Sequence, residues 1–281
     1  MTGRARSASW LCARQELVLS VRSRWTQTFA AVFAVLAIAI ASSGYVLSGG
    51  SGVQDFSRTA ASLLQLVLLL VPLTSLVFGV IALTPESGAA ELLYSQPVAR
   101  PTILAGQLIG LLFALGASQA IGFGAAGLVL FSQAGDAGLS SFVGVVAGSM
   151  ALTTVFLSLA AAIAAGATSE RRGRNLGIAL VIWFATVLLF DVVALGVASL
   201  LPSGLASRVL IVAAIANPVD AVRTGTLLGI DGTTAFGAAS LAFLRFTGGA
   251  SYAVVWLAAS VVVWIVIPLA AATVRLRRAD I

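Results

Sequence analysis

Asp191 lies in the run Ala185-Thr-Val-Leu-Leu-Phe-Asp191-Val-Val-Ala-Leu195, deeper in apolar sequence than any other acidic residue of the chain. A carboxylate at membrane depth is costly and turns toward protein or water, not lipid. Two roles fit it. One is a pathway or gating residue. The other is a structural hydrogen bond to Gln65, Gln107 or Gln119 on a neighbouring helix. A proton-coupled carrier needs more buried ionisable groups than this.

The rest of the chemical inventory is defined by what is missing. The chain has sixteen arginines, no lysine and no histidine. A P-loop needs a lysine on the phosphates. Without histidine the commonest general base and metal ligand are gone, and neither a triad nor HExxH nor CxxC can be assembled. Gly122-Phe-Gly-Ala-Ala-Gly127 satisfies GxGxxG in form only, since it lies inside an apolar helix and no strand precedes it. Cys12 is the single cysteine, so no internal disulfide forms. Met1 and Met150 are the only methionines, too few for a methionine-lined copper path. No metal site is expected. These residues describe a non-catalytic membrane subunit that another protein drives.

The elements that must position these groups are helices in a bilayer. Hydrophobic residues make up 59% of the chain and charged residues 9%, with mean hydropathy +1.06. Soluble proteins carry about 25% charged residues. Windows long enough to cross a bilayer core fall at 26–47, 59–83, 104–131, 142–165, 176–201 and 251–274. The fold expected is therefore all-α, with six transmembrane helices in one domain over 26–281 after a segment 1–25. No removable signal peptide is read at the N-terminus, which lacks a short apolar region before a cleavage site.

Arginine placement sets the orientation. Twelve arginines fall in segments on the side of the N-terminus and four on the other, Arg58, Arg208, Arg223 and Arg245. The positive-inside rule then places both termini in the cytoplasm of a bacterial or archaeal cell, with the chain in its cytoplasmic membrane. The same placement explains the high pI, and no nucleic-acid partner is inferred.

Three connecting regions carry further pattern. In Ser9 to Trp25, the residues Trp10, Ala13, Leu17, Val21 and Trp25 share one helical face, opposite Arg14, Gln15, Arg22 and Arg24. This predicts an amphipathic helix in the interface; the alternative is an extension of the first span. The loop 84–101 carries Glu86, Glu91 and Tyr94 on a predicted short helix, then Arg100 and Pro101 lead into the third span. An exposed acidic helix is a natural docking knob for a soluble partner. Residues 202–250 form a long outer loop. Its Leu205 to Ala216 is apolar for about half the length of a span, which suits a re-entrant or interfacial helix. Asn217-Pro218-Val219-Asp220 then reads as an N-cap, a first-turn proline and an acid at the positive helix end, opening a second short helix through Arg223 to about Leu228, before Gly229-Ile-Asp-Gly232 turns the chain.

The third span carries Gly106, Gly110, Ala114, Ser118, Gly122 and Ala126, each four residues apart. Such a stripe lets another helix approach closely, either within the subunit or between subunits.

Taken with the six spans, these residues resemble ABC-2-type (type V) ABC transporter permeases. Ala13-Arg14-Gln15-Glu16-Leu17 with Arg24-Trp25 looks like that family's elbow helix. Glu86 through Arg100 looks like its cytoplasmic coupling helix, and 202–250 like its re-entrant outer segment. Within the family, Ala13-Arg14-x-Glu16-Leu17, Trp183-Phe184 with Phe190-Asp191, and Asn217-Pro218-x-Asp220 are similar to the permeases that serve copper-centre maturation of nitrous-oxide reductase. The resemblance implies a homodimer in which a separate cytoplasmic ATPase binds ATP and magnesium, this chain holding no cofactor. It implies that Glu86, Glu91, Tyr94, Arg100, Arg14 and Glu16 couple to that ATPase. It places Asp191 near a central path, and Asn217, Pro218, Asp220 and Arg223 on an outer surface for a periplasmic NosD-like partner. The alternative is a permease exporting a drug, lipid or polysaccharide. A membrane enzyme would need clustered acids, histidine or a serine–lysine pair that the sequence lacks. A scaffold subunit that moves no cargo would still bind an ATPase.

Overall fold

In hydrocarbon every backbone N–H and C=O must be satisfied internally, and each apolar stretch does so as a helix. The computed structural model describes residues 2–48, 53–84, 98–134, 138–167, 169–231 and 238–278, and six helical spans cross this bundle. In chain order the helices are α1 (Thr2–Arg22), α2 (Arg24–Ser48), α3 (Val53–Leu83), α4 (Arg100–Ala134) and α5 (Leu139–Ala164). The fifth span is assembled from α6 (Arg172–Phe184), a π-helical turn (Ala185–Leu189) and α7 (Phe190–Ser199). Then come α8 (Ser203–Ala216), α9 (Pro218–Asp231), α10 (Ala238–Thr247) and α11 (Ala250–Arg278), the last being the sixth span. No strand occurs among the described residues. Glu86, Glu91 and Tyr94, and with them the helix expected there, lie outside the described residues.

The main core runs through α2 to α5. Phe33, Leu63, Leu64, Leu111, Leu115, Leu152 and Phe156 are fully buried in it. Phe33, Phe123 and Phe142 join α2, α4 and α5 edge to face, with ring centroids 5.2 and 5.9 Å apart, a favoured aromatic geometry. Beside them Gln119 Nε2 donates to Thr153 Oγ1 at 2.8 Å and Ser149 Oγ donates to Gln119 Oε1 at 2.6 Å. These bonds satisfy a polar group in a site where leaving it unpaired is costly. A smaller cluster of Ile211, Ala221, Phe243, Ala253 and Leu257 holds α8, α9, α10 and α11 together.

The stripe of small residues on α4 is a seam within the subunit, and all six of its positions are buried. A β-carbon at Gly106 would stand 2.6 Å from the carbonyl oxygen of Ser9, and one at Gly110 would stand 2.6 Å from that of Ala13. Gly122 likewise leaves room for the ring of Phe33 on α2, which a β-carbon there would meet. So α1 lies against the first turns of α4, and α2 against its later turns. The helix α1 ends at Arg22 and α2 begins at Arg24, with Ser23 between them. It is therefore a separate helix rather than an extension of the first span.

The face of α1 that meets α4 is small and polar. Ala13 and Ser20 are buried there, whereas Trp10, Leu11 and Val21 of the flanking faces are exposed. Amphipathic spacing marks the apolar residues of this segment but does not show that its small ones face protein.

Three arginines gather the spans at one end of the bundle. Arg100 donates to the carbonyl of Leu276 at 3.2 Å, Arg172 to that of Ile81 at 3.4 Å and Arg275 to that of Ala162 at 2.8 Å. Each acceptor lies in the last turn or so of a span, where carbonyls lack an intrahelical partner and the helix dipole favours a cation. Spans five and six are buried over only a small part of their length. Val192, Leu195, Val262, Val266 and Ile267 face outward.

Candidate functional site

At the opposite end, the chain between spans five and six folds into a helical corner. Helices α8 and α9 meet at Asn217 with a bend of 102°. Local chemistry makes the turn. Asn217 Oδ1 accepts from the Val219 amide at 3.2 Å, and its carbonyl accepts from the Ala221 amide at 2.9 Å. This is an N-cap on a helix whose first residue, Pro218, has no amide hydrogen to satisfy. Asp220 follows in the first turn, where the helix dipole favours a negative charge. Two short helices are thus present, but α9 runs on through Asp231 and the turn expected to begin at Gly229 does not form there, because Gly229 and Ile230 continue the helix.

Three polar links fasten this corner to the spans. Asn217 Nδ2 donates to the Thr186 carbonyl at 2.8 Å. Thr186 lies in the π turn, where the Phe190 amide reaches back to Ala185 and one span gains a wide, irregular step. Such steps often occur at functional sites. Trp264 Nε1 on α11 donates to the Ala216 carbonyl at 2.8 Å. Arg223 Nη1 donates to Asp191 Oδ2 at 2.7 Å.

Asp191 therefore pairs with a cation on α9, not with a glutamine. Gln119 is committed to Ser149 and Thr153, and Gln107 to Glu16. The physical reason is charge. A carboxylate at this depth gains more from a guanidinium than from an amide. Arg223 Nη2 also lies 3.5 Å from Asp220 Oδ1, while Asp220 Oδ2 accepts from Asn217 Nδ2 at 3.0 Å. Asp191, Arg223, Asp220 and Asn217 thus form one connected network. It borders an open cavity of about 310 Å³ whose other walls include Leu210, Ile211, Thr224 and Phe243.

The sequence assigned Asp191 and Asn217–Arg223 to different places, a path and an outer surface. The structure brings them together. Asn217, Pro218 and Asp220 are buried, and only Arg223 and Asp191 keep about a third of their side chains exposed. Trp264 and Thr186 were not singled out. Trp264 had a readable signal, because an indole N–H inside an apolar span must find an acceptor. The π turn at Thr186 had none.

At the arginine-bearing end, Glu16 faces α4 beside Gln107 and accepts from Ser20 Oγ at 3.2 Å. Burial there pushes its carboxyl above the ordinary glutamate range, and the bonds from Ser20 and Gln107 offset part of that. Arg14 is exposed on the far side of α1, and Arg100 holds the end of α11. Among the described residues no three acidic or cysteine side chains converge on one point.

Six apolar helical spans, clamped by arginines at one end and capped by a partly buried Asp191–Arg223–Asp220 network at the other, have the build of a polytopic membrane subunit. Residues 10–281 match the family described as ABC-2 family transporter protein, and the chain belongs to that family. Permeases of this family are non-catalytic and work with a cytoplasmic ATPase subunit. The chain is 33% identical to the probable ABC transporter permease protein NosY of Pseudomonas aeruginosa, and 34% identical to that of Stutzerimonas stutzeri. Each likeness extends over 239 residues, 83% of this chain and 86% of the relative.

Proposed function

We propose that this chain is the permease of an ABC transporter serving copper-centre maturation of nitrous-oxide reductase. The observation that carries this reading is its likeness to two NosY proteins over most of both chains. On this reading two copies pair through the outward apolar faces of spans five and six. The arginine-rich end lies in the cytoplasm and meets the ATPase, which binds ATP and magnesium. Glu86, Glu91 and Tyr94 receive its stroke, with Arg14 and Glu16 on α1 as the elbow helix and Arg100 beside them.

The outer corner then delivers the work. Its links to spans five and six let a shift of either span move α8 and α9 as one piece. Asn217, Pro218 and Asp220 shape that piece from within, and Arg223 with Asp191 borders its open cavity. A periplasmic NosD-like partner docks on it. The output is either passage of a sulfur compound for the copper–sulfide cluster or mechanical work on that partner.

The test is a gentle pull-down of the tagged chain from its native membranes, with partners identified by mass spectrometry. An ABC ATPase together with a periplasmic β-helix protein supports the reading. An ATPase alone points to an exporter of a drug, lipid or polysaccharide, and no ATPase overturns the coupling scheme. Reversing the charge of Glu86 and Glu91 together is expected to abolish ATPase co-purification, and unchanged recovery would remove them from the interface.

A further inference from the structure

A second cavity lies at the arginine-bearing end, between α2, α3 and α4. It has a volume of about 280 Å³, and Trp25, Thr26, Val32, Leu70, Val77 and Ile81 are among the residues that line it. Along α3 it runs from Ile81 to Leu70, ~16 Å at 1.5 Å per residue. That is about half of the ~30 Å hydrocarbon core, so the groove is as deep as one leaflet.

The chemistry changes at its mouth. Trp25 is 67% exposed, and an exposed tryptophan at a span's end marks the headgroup level. Arg24 precedes it and Arg22 ends α1. Both are exposed, and neither has an ion-pair partner among the described residues. Arg172 reaches Ile81, a lining residue, through that residue's carbonyl. The Thr26 hydroxyl is buried without a hydrogen-bond partner among the described residues, at the depth where an ester carbonyl would lie. Cations above an apolar slot of one-leaflet depth match the two ends of a single molecule.

We propose that this groove is a binding site for an anionic phospholipid, with an acyl chain between α2 and α3 and the phosphate on Arg22 and Arg24. The site does not depend on the cargo or on the ATPase. Its mouth opens just past Ser23, the break between α1 and α2.

The test uses the full chain in phosphatidylcholine bilayers containing brominated phosphatidylglycerol or brominated phosphatidylcholine at equal mole fractions. The readout is quenching of the Trp25 contribution, taken as the difference between the native chain and Trp25→Phe. An arginine near a membrane surface favours an anionic lipid about fivefold, so two of them give a preference of roughly 25-fold. Arg22→Gln or Arg24→Gln should lower it about fivefold each, and the double variant should abolish it. Val77→Phe, which fills the groove and keeps both arginines, should also abolish it. Equal quenching by the two lipids in the native chain overturns the proposal. So does a preference that survives the double variant. A preference that survives Val77→Phe means surface attraction without a groove, and overturns it as well.

Discussion

Gly110→Ala tests the seam that holds α1. The added methyl would sit 2.6 Å from the Ala13 carbonyl oxygen and 2.7 Å from the β-carbon of Glu16. Ordinary contact begins at 3.4 Å, so α1 must withdraw by 3.4 − 2.6 = 0.8 Å. A gap of that size forfeits a quarter to a half of each dispersion contact along the seam, and such overpacking costs about 1–3 kcal/mol. The opening equilibrium of α1 should rise about 5-fold to 150-fold, at a tenfold change per 1.4 kcal/mol. Cys12 is a ready reporter. It is the chain's only cysteine, half-buried, and it faces Gly106 across the same seam. A polymer-bearing maleimide too bulky for the closed seam should label it faster in Gly110→Ala by that factor, since labelling tracks the open population when reclosing is fast. Gly124→Ala is the control, because nothing lies within 4 Å of a β-carbon there. Equal labelling of Gly110→Ala and the native chain would refute the packing argument.

Three more outcomes follow from the corner at Asn217 and from Glu16. Asp191→Asn, Arg223→Gln and the double variant should show a coupling of about 1–2 kcal/mol in detergent stability, reduced from the value of a buried pair because both side chains are partly solvated; purely additive losses would mean the 2.7 Å contact stabilises nothing. Asn217→Ala removes the cap and the bond to Thr186 and should cost about 1–2 kcal/mol, read as a lower unfolding temperature. The Glu16 carboxyl is raised in the docked state by burial, so docked α1 binds its proton more tightly than free α1. Docking should therefore strengthen as pH falls through the raised value toward the ordinary 4.5 and weaken as pH rises. Cys12 labelling of the native chain, relative to Glu16→Gln at each pH, should fall on acidification, and a ratio flat with pH would exclude Glu16 as the cause.

Apolar length located all six spans within a few residues, because hydrocarbon leaves the backbone one local solution. Asn217-Pro218-x-Asp220 was legible for the same reason: capping is decided by the residues beside it. The seam on α4 could be read from its small-residue spacing, but not its occupant, because α1 meets it through Ser9, Cys12, Ala13 and Glu16 rather than through its large apolar residues. The partner of Asp191 was not legible. Arg223 lies 32 residues away, and only the 102° bend and the π turn bring the two together. Neither has a composition of its own. Arg58, Arg208, Arg223 and Arg245 were read as topology marks, and Arg223 also as a docking charge, because topology rules weigh side and number, not contact.

The arginines at the opposite end carry two instructions in one side chain. Their count tells the insertion machinery which way the chain faces, and any cation serves for that. Their planar fork of donors, held out to the Leu276, Ile81 and Ala162 carbonyls, fixes how deep each span rests against its neighbour. An ammonium could supply the first message but not the second with the same geometry. A chain rewritten with lysine at Arg100, Arg172 and Arg275 would enter the bilayer the right way round and then slip along its own helices.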